Sequence, residues 1–444
     1  MSSPSSSLPP TPPSRSPTPR EWRFTPITLP CEWIESYRPG GYHPVHFGDV
    51  FDNGRYKVIR KLGEGCYSTV WLARDNWEER YVALKILVSD PVGSTDETRI
   101  LDHLSWVAPV QAARHVTQLL DSFEHTGPNG THKCLVFEPM GPNVNTMVEE
   151  LPQFKSRMFG MDVRYPPQMA RSILKQSLQA LAFLHEHGIA HGDFQPGNIL
   201  FALDDIDSKT EDLLRQEEPA EANFFFTPVH RVDGKRDLWS PRYLCTGEPL
   251  ADFTNHTNDI QIKLSDMGGA YFFKDPPMKP LVPAGLRAPE LILTGAFNRT
   301  FDIWSFGCIL FELITGRPLF CTPWSESQVD RDDDLLLDMT LYLGPLPEEL
   351  YKHWKTSSLY FTPERELWNC IPGGTKEGQE PLVLEKRSME DLFDQAQPDL
   401  DEDEANQIKS LIRSILQYDP AERPSAVEIL QHPWFSRDDI ENKS

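Results

Sequence analysis

The sequence lacks three features that would each assign it to a different class of protein. No run of about 18 apolar residues exists, so no membrane-spanning helix is predicted. The first 20 residues, MSSPSSSLPPTPPSRSPTPR, contain no apolar block of the kind that a secretory signal carries. The seven cysteines are odd in number and have no metal-ligand spacing, which argues against a disulfide framework. These absences predict a protein of a reducing, intracellular compartment.

Positive charge is also scarce, because 43 Lys and Arg face 66 Asp and Glu and leave a net charge of −23. Such a surface should repel nucleic acid and anionic membranes and attract basic partners. The alternative is that the charge only keeps the protein soluble.

The pattern along the chain predicts an α+β protein with a β-rich region followed by a larger helical one. Alternating strand-like segments begin at Tyr56, and helical spacing dominates after Pro166. The predicted parts are a disordered Ser/Pro-rich tail, an extension packed on the following domain, the β-rich region, the helical region and a terminal tail, at 1–25, 26–55, 56–140, 141–436 and 437–444. Residues 203–258 are predicted to be a loop-like, partly disordered insert, and residues 373–404 are loop-like as well.

Two neighbouring motifs in the β-rich region are typical of phosphate binding. Gly63–Val70 reads GEGCYSTV between two predicted strands, where glycines let the backbone approach phosphates. Ser68 takes the place of a third glycine, and alone the motif could be an ordinary hairpin turn. The next strand contains Val82-Ala83-Leu84-Lys85, whose lysine could hold two phosphates. Glu97 is the candidate partner of Lys85, the alternative being a solvated helix face.

The helical region supplies candidate catalytic and metal-binding groups. In His191–Asn198, HGDFQPGN, Asp193 precedes Asn198 by five residues within a predicted loop. Transfer of phosphate to a hydroxyl needs a carboxylate that accepts the proton and oxygen ligands for Mg²⁺. Asp193 suits the first role, while Asn198 and Asp266 suit the second.

These motifs, together with Ala288-Pro289-Glu290, Asp302–Gly307 and Arg423-Pro424, occur in an order that resembles the eukaryotic protein kinases from about Tyr56 to Phe435. The resemblance implies a two-lobed kinase fold that uses ATP and Mg²⁺. Asp193, Lys85 and Asn198 would be catalytic, Asn198 and Asp266 would hold the metal, and Glu290 and Arg423 would form a buried structural ion pair. The residues implied at the nucleotide are Leu62, Gly63, Gly65, Ser68, Val70, Ala83, Lys85, Glu97, Glu138 and Met140, the last two in the hinge.

Further details are similar to the SR-protein kinase subfamily. They are the opening Tyr42-His43-Pro44-Val45, the segment Cys66–Leu72, and the position of the insert between catalytic loop and magnesium aspartate. The resemblance implies a serine/threonine kinase of arginine/serine-rich splicing factors, present in cytoplasm and nucleus, and we expect it to be a monomer. Gly192 replaces the arginine that normally receives an activation-loop phosphate, and this predicts an enzyme that is active without phosphorylation.

A cluster of acids offers a physical reason for basic substrates. Asp330, Asp332, Asp333 and Asp334 lie in the region where this subfamily carries a docking groove for arginine-rich peptides. Carboxylates would favour arginine over lysine because they form bidentate pairs with guanidinium groups. The alternative is a solvated surface loop.

One departure from the family pattern bears on activity. Gln195 occupies the position of the lysine that neutralises charge on the transferring phosphoryl group. Losing such a group typically costs about 3–4 kcal/mol of transition-state stabilisation. Either another cation substitutes, or the enzyme is slow, or the chain is a pseudokinase that holds arginine-rich partners in its acidic groove. Met267, in place of phenylalanine, is a milder change.

Overall fold

The computed structural model describes residues 11–90, 95–107, 113–154, 163–218, 223, 225–255, 260–277, 279, 281–322 and 325–436. The chain divides into two compact units. The first unit contains residues 1–95, 117–142 and 201–255, and the second contains residues 96–116, 143–200 and 256–444. The predicted terminal tail at 437–444 and the first ten residues of the predicted N-terminal tail lie outside the described residues. No described helix is long and apolar enough to cross a membrane.

The first unit holds most of the strands and the second unit holds most of the helices, as expected for an α+β protein. The strands are β1 Val50–Phe51, β2 Tyr56–Gly65, β3 Ser68–Asp75, β4 Arg80–Leu87, β5 Leu119–Gly127, β6 Gly130–Phe137, β7 Met140–Asn143, β8 Ile189–Ala190, β9 Ile199–Ala202, β10 Phe226–Pro228, β11 Tyr243–Cys245, β12 Ile262–Leu264 and β13 Tyr271–Phe272. The helices are α1 Thr95–Val107, α2 Val144–Glu150, α3 Pro167–Glu186, α4 Glu211–Leu214, α5 Pro289–Thr294, α6 Phe301–Thr315, α7 Gln328–Leu343, α8 Glu348–Tyr351, α9 Met389–Gln395, α10 Glu402–Ile415 and α11 Ala426–Leu430.

The first unit is built on a six-stranded antiparallel sheet in the order β1-β2-β3-β4-β6-β5. Its register aligns Gly63 with Val70, Val70 with Lys85, and Lys85 with Leu135. Side chains of directly paired residues share one face of a sheet. The predicted nucleotide residues Val70 and Lys85 therefore lie on the same face, and Ala83 joins them two residues along β4.

The opposite face of this sheet carries the main apolar core of the first unit. Trp71 pairs with Leu84, and Leu84 with Val136, and all three are at most 2% exposed. Residues from outside the sheet complete this core, namely Val45, Phe226, Tyr243 and Cys245. The sheet thus has one face for the predicted nucleotide site and one face sealed by apolar packing.

The insert, residues 203–258, packs on this sheet over its described part, where α4, β10, β11 and a short 3₁₀ helix at Ala251–Phe253 are joined by irregular segments. Its strands β10 and β11 pair antiparallel, with Phe226 opposite Cys245. Ile206, Leu214 and Leu250 form a second apolar cluster with residues of β2, β3 and β4. The apolar residues of the insert are too widely spaced to form a core alone, but the sheet supplies a surface on which they are buried.

The segment before the sheet, here called the arm (residues 22–49), also packs against the first unit. Phe24 is 3% exposed, and its backbone forms an isolated antiparallel β-bridge with Arg231 of the insert. Tyr37 and Tyr42 are buried in the same cluster. The predicted limit of the disordered tail at residue 25 is therefore too late, since a short 3₁₀ helix already forms at Pro19–Glu21.

The second unit is mainly helical and is organised around α6. Every residue of Phe301–Thr315 except Glu312 is buried, as expected for a helix that is apolar on all sides. Helix α3 buries Ile173, Leu178 and Leu184 at the predicted helical spacing. The predicted ion pair between Glu290 and Arg423 is confirmed, with two N–O distances of 2.7 Å.

Candidate active site

The backbone of the catalytic loop is fixed by one buried carboxylate, that of Asp302 in α6. The carboxylate is 0% exposed and accepts hydrogen bonds from the backbone N–H groups of His191 (2.8 Å) and Gly192 (3.0 Å). His185 Nε2 lies 2.9 Å from Asp302 Oδ2. Burial raises the pKa of Asp302, but the His185 contact and the charge of His191 outweigh it and lower the pKa. The sequence motif contained Asp302, but its role as an anchor for the loop was not predicted.

Asp193, the predicted base, lies under two side-chain amides of its own loop. Asn198 Nδ2 donates to the Asp193 carbonyl oxygen (2.8 Å) and to Oδ2 (2.9 Å). Gln195 Nε2 donates to both carboxylate oxygens, at 2.8 and 2.9 Å. Burial, with a smaller contribution from Asp266, raises the pKa of Asp193 although His191 and both amides oppose it. A carboxylate with a raised pKa is a better proton acceptor at neutral pH.

The predicted metal ligands are joined through the segment that follows β12. Ser265 donates from its backbone N (2.8 Å) and its hydroxyl (2.9 Å) to the carbonyl oxygen of Asn198. Asp266 follows in the left-handed conformation, at φ 60°, and its Oδ1 accepts from Gly268 N. Asn198 uses its Nδ2 in hydrogen bonds to Asp193, so its amide oxygen is the atom that could bind a metal. Such an oxygen and the carboxylate of Asp266 are the kinds of ligand that Mg²⁺ prefers. Bound Mg²⁺ would neutralise charge that develops on the phosphates.

The backbone requires glycine at position 192. Gly192 has φ +76°, and a Cβ atom there would lie 2.0 Å from the carbonyl oxygen of Gly269. An arginine could not occupy this position without a shift of the loop or of the segment after Asp266. The backbone conformation at position 192 therefore excludes the phosphate-binding arginine.

The predicted nucleotide residues of the first unit are distributed over the sheet and the segment after it. Leu62, Gly63 and Gly65 lie in β2, Ser68 and Val70 in β3, Ala83 and Lys85 in β4, and Met140 in β7, with Glu138 between β6 and β7. Glu97 is in α1, within the second unit, and is 3% exposed. The pairing of Lys85 with Glu97 stays a prediction.

The four predicted docking aspartates do not share one environment. Asp333 is 3% exposed and accepts hydrogen bonds from Trp354 Nε1 (2.7 Å), Thr356 Oγ1 (2.6 Å) and the Tyr360 hydroxyl (2.9 Å). Its assignment to a docking surface was therefore wrong, because all of these bonds are internal.

Asp330 and Asp334 occupy another face of α7, four residues apart, and Asp338 extends that face by one more turn. Burial and the charges of Asp330 and Asp333 raise the pKa of Asp334 to about 6. Burial also raises the pKa of Asp338 to about 6. The carboxylates of Asp330 and Asp334 are here called the acidic face, and Asp338 is set apart from them because it accepts hydrogen bonds from Tyr342 and from the backbone of Cys321.

Comparison with known proteins identifies the family. The protein kinase domain model matches residues 56–213 and 252–435. The serine/threonine-protein kinase SRPK of Physarum polycephalum is 31% identical, over 91% of this chain and 91% of its own length. Protein kinase dsk1 of Schizosaccharomyces pombe is 27% identical, with coverages of 91% and 85%. The chain is a serine/threonine protein kinase of the SRPK family.

Other matches agree with this assignment of the kinase. Human SRSF protein kinase 3 is 25% identical over 90% of both chains. A solved crystal structure of a kinase domain matches with a TM-score of 0.59 at 22% identity, covering 89% of this chain and 98% of the other, which supports the fold. The family implies the use of ATP, generally with Mg²⁺. The kinase domain model omits residues 214–251, so most of the insert is an addition to the common domain.

Proposed function

We propose that this kinase transfers phosphate from ATP–Mg²⁺ to serine in arginine/serine-rich proteins, and that it does so without prior phosphorylation. The observation that carries the substrate class is the acidic face of α7. The names of relatives such as human SRSF protein kinase 3 support the same class. The predicted presence in cytoplasm and nucleus and the predicted monomeric state belong to this proposal.

The acidic face is suited to guanidinium groups because its charges are not neutralised internally. Within the described ranges, Asp330 and Asp334 form no ion pair with Lys or Arg. The raised pKa of Asp334 reflects carboxylates that are close together and partly removed from water. An arginine-rich peptide would relieve this repulsion, and bidentate pairing would favour arginine over lysine.

Aromatic side chains in the same unit as the acidic face offer rings on which arginine could stack. An open cavity of about 470 Å³ is lined by Tyr351, Phe361 and Trp368, together with Ser357, Ser358, Thr362 and Pro363. Near Asp330, the backbone N of Gly373 donates to the Tyr360 hydroxyl at 3.0 Å. A Cβ atom at Gly373 would be 3.4 Å from Asp330 Oδ1. Carboxylates next to aromatic faces favour guanidinium ligands.

The catalytic loop supports turnover in spite of Gln195. The Gln195 amide keeps both Asp193 oxygens in hydrogen bonds, so the base remains oriented. What is lost is a positive charge near the transferring phosphoryl group. We therefore expect Gln195→Lys to raise kcat by roughly tenfold or more, if no other cation fills that role.

The first experiment is radiolabelled phosphate transfer from ATP–Mg²⁺ to an arginine/serine-repeat peptide, with a lysine/serine peptide beside it. The Asp193→Ala variant is the control, since it removes the proton acceptor and should abolish transfer. Transfer that prefers arginine supports the proposal. No transfer by the unmodified kinase, with ATP still bound, would instead favour a module that only holds arginine-rich partners.

The acidic face is tested by the double change Asp330→Asn and Asp334→Asn. We expect the KM for the arginine/serine peptide to rise about tenfold, with the KM for ATP unchanged. Asp332→Asn is the matched control, because Asp332 is on the same helix and already accepts from Gln328 Nε2 at 2.7 Å. Equal peptide KM values in both variants would contradict docking at this face.

Constitutive activity is tested by phosphatase treatment followed by the same assay. Because Gly192 cannot receive an activation-loop phosphate, we expect the rate to remain within about twofold. A large gain after phosphorylation within residues 267–289 would refute this part of the proposal.

A further inference from the structure

The strand that carries the glycine-rich loop, β2, is held from outside the kinase domain proper by both the insert and the arm. We infer that these two segments position the glycine-rich loop for nucleotide binding, and that Gly247 is a positioning residue for it. This inference depends on the family's use of ATP and not on the substrate class proposed above.

The insert pairs with the edge of β2 that β1 leaves open. Strand β1 covers β2 only at Tyr56 and Lys57. Farther along, Gln216 N donates to the Ile59 carbonyl oxygen at 3.0 Å. Lys61 N donates to Gln216 Oε1 at 3.0 Å, and Lys61 O accepts from Glu248 N at 2.9 Å. The insert therefore satisfies backbone groups of β2 up to two residues before Gly63.

Gly247 brings the insert into direct contact with the first glycine of the loop. A Cβ atom at Gly247 would lie 2.9 Å from the Leu62 carbonyl oxygen, 3.0 Å from Gly63 Cα and 3.2 Å from Gly63 N. The neighbouring atoms are backbone and cannot turn aside as a flexible side chain would. The φ angle of Gly247 is in the ordinary range. The position thus needs glycine for space, and a larger residue would displace Leu62 and Gly63.

A buried charge locks the same stretch of β2 to the arm. The Lys61 side chain is 0% exposed and points away from the Lys85 face, because Lys61 pairs with Trp71. Its Nζ contacts the carboxylate of Glu32, lies 3.0 Å from Glu64 Oε2, and donates to the Cys245 carbonyl oxygen at 2.8 Å. A buried ammonium group is tolerated only with such partners, so Lys61 cannot shift independently of arm and insert.

The arm also reaches the tip of the loop through Tyr42. The Tyr42 hydroxyl donates to the carbonyl oxygens of Gly65 (2.7 Å) and Cys66 (3.0 Å). Tyr42 is itself anchored, since its backbone carbonyl accepts from Asn129 Nδ2. Burial raises the pKa of Tyr42, so its hydroxyl stays a donor at neutral pH.

These contacts reduce the conformational freedom of a segment that is intrinsically flexible. A glycine-rich chain samples many backbone conformations, and phosphate binding selects few of them. A loop held in advance loses less freedom when the nucleotide binds, and its affinity is higher. The expected signature is a change in nucleotide affinity that spares both turnover and peptide binding.

The test uses the full chain with Gly247→Val, and measures binding of the Mg²⁺ complex of a non-hydrolysable ATP analogue by calorimetry. We expect the Kd to rise about fivefold or more and the KM for ATP to follow, with kcat and peptide KM within about twofold. Gly247→Ala should give a smaller effect in the same direction. Tyr42→Phe, which keeps the ring and removes the donor, should raise the Kd about two- to threefold.

The matched control is Gly234→Ala in the same insert. Gly234 has φ +69° and nothing within 4 Å of an added Cβ, so alanine there strains the insert without pressing on Gly63. Nucleotide affinity close to that of the unmodified kinase is expected for this variant. The inference is overturned if Gly234→Ala weakens nucleotide binding as much as Gly247→Val. It is also overturned if Gly247→Val and Gly247→Ala lower the melting temperature yet leave the Kd unchanged.

Discussion

The insert at 203–258 and the region at 373–404 look alike in sequence but differ in structure. Both are rich in acids and were predicted to be loop-like. In the insert, Phe226 and Tyr243 are 5% and 4% exposed and belong to the core of the first unit. In the second region, Leu382 and Val383 are 51% and 57% exposed. The apolar residues at 382–384 are therefore exposed, whereas Met389 and Phe393 of α9, farther along the same region, are buried.

The difference arises from the surface against which each region packs. The insert faces an open strand edge and an apolar sheet face, and both gain when they are covered. In the second region the described contacts of the apolar run are backbone bonds at Leu382, one of them to Asn369 Oδ1 at 3.4 Å. Helices begin only where the local sequence supplies a helix start, at α9 and α10, so the loop-like prediction for 373–404 was wrong over Met389–Gln395. Burial of scattered apolar residues depends on a partner surface and is not a property of the segment alone.

The largest expected effect tests whether the insert is part of the core. Phe226→Ala removes a buried ring that lies 4.2 Å from the ring of Tyr243, and should lower the free energy of unfolding by about 3–5 kcal/mol. Val383→Ala in the second region should change it by less than about 0.5 kcal/mol. Chemical denaturation measures both. Equal effects would remove the contrast between the two regions.

A comparison of a buried ion pair with an exposed one should show the same contrast, with an intermediate effect on the free energy of unfolding. Glu32→Gln leaves the buried Lys61 with one carboxylate fewer and should cost about 2–3 kcal/mol of stability. Arg387→Gln breaks the exposed contact with Glu385, which has an N–O distance of 3.9 Å, and should have no measurable effect. If the Glu32 variant were as stable as the unmodified kinase, the arm would not be fixed by this pair.

Local capping should account for order within the second region. Ser388 Oγ accepts from Asp391 N at 3.1 Å at the start of α9, and the Asp391 carboxylate accepts from Ser388 N at 2.8 Å. Ser388→Ala should cost about 1 kcal/mol of unfolding free energy, and Ser388→Asp should restore most of it. A loss that aspartate does not restore would mean that something other than the cap is responsible.

The smallest expected effect concerns Asp334, on the acidic face that borders Gly373. Its pKa of about 6 exceeds the value of about 3.9 in an unfolded chain, so the folded state holds the proton more tightly. Its contribution to stability is complete below pH 4 and is lost as the pH rises through 6. Asp334→Asn should therefore raise Tm at pH 7.5 by about 1–3 °C and give no gain at pH 4. An equal gain at both pH values would contradict this origin.

The order of catalytic motifs was enough to predict the fold, and the structure adds how those motifs are held. Asp193, Asn198 and Asp266 were all assigned from type and spacing, because few residue types can do phosphoryl-transfer chemistry. The anchoring of the loop by Asp302 was not predicted, since it joins segments more than 100 residues apart. Asp333 was misassigned for a related reason, because a carboxylate in an acidic run can equally be an internal acceptor.

By itself, the sequence determined the family and the order of a β-rich region before a helical one, and it supplied the candidate reactive groups, because these depend on local pattern and on residue chemistry. Only the tertiary structure decided which acids of α7 are available, that Gly192 is required by the backbone of Gly269, and that the insert and arm hold β2. Each of these facts depends on which distant segment packs against a residue. That packing sets the burial of the residue and how closely its backbone approaches another, and the local sequence does not specify it.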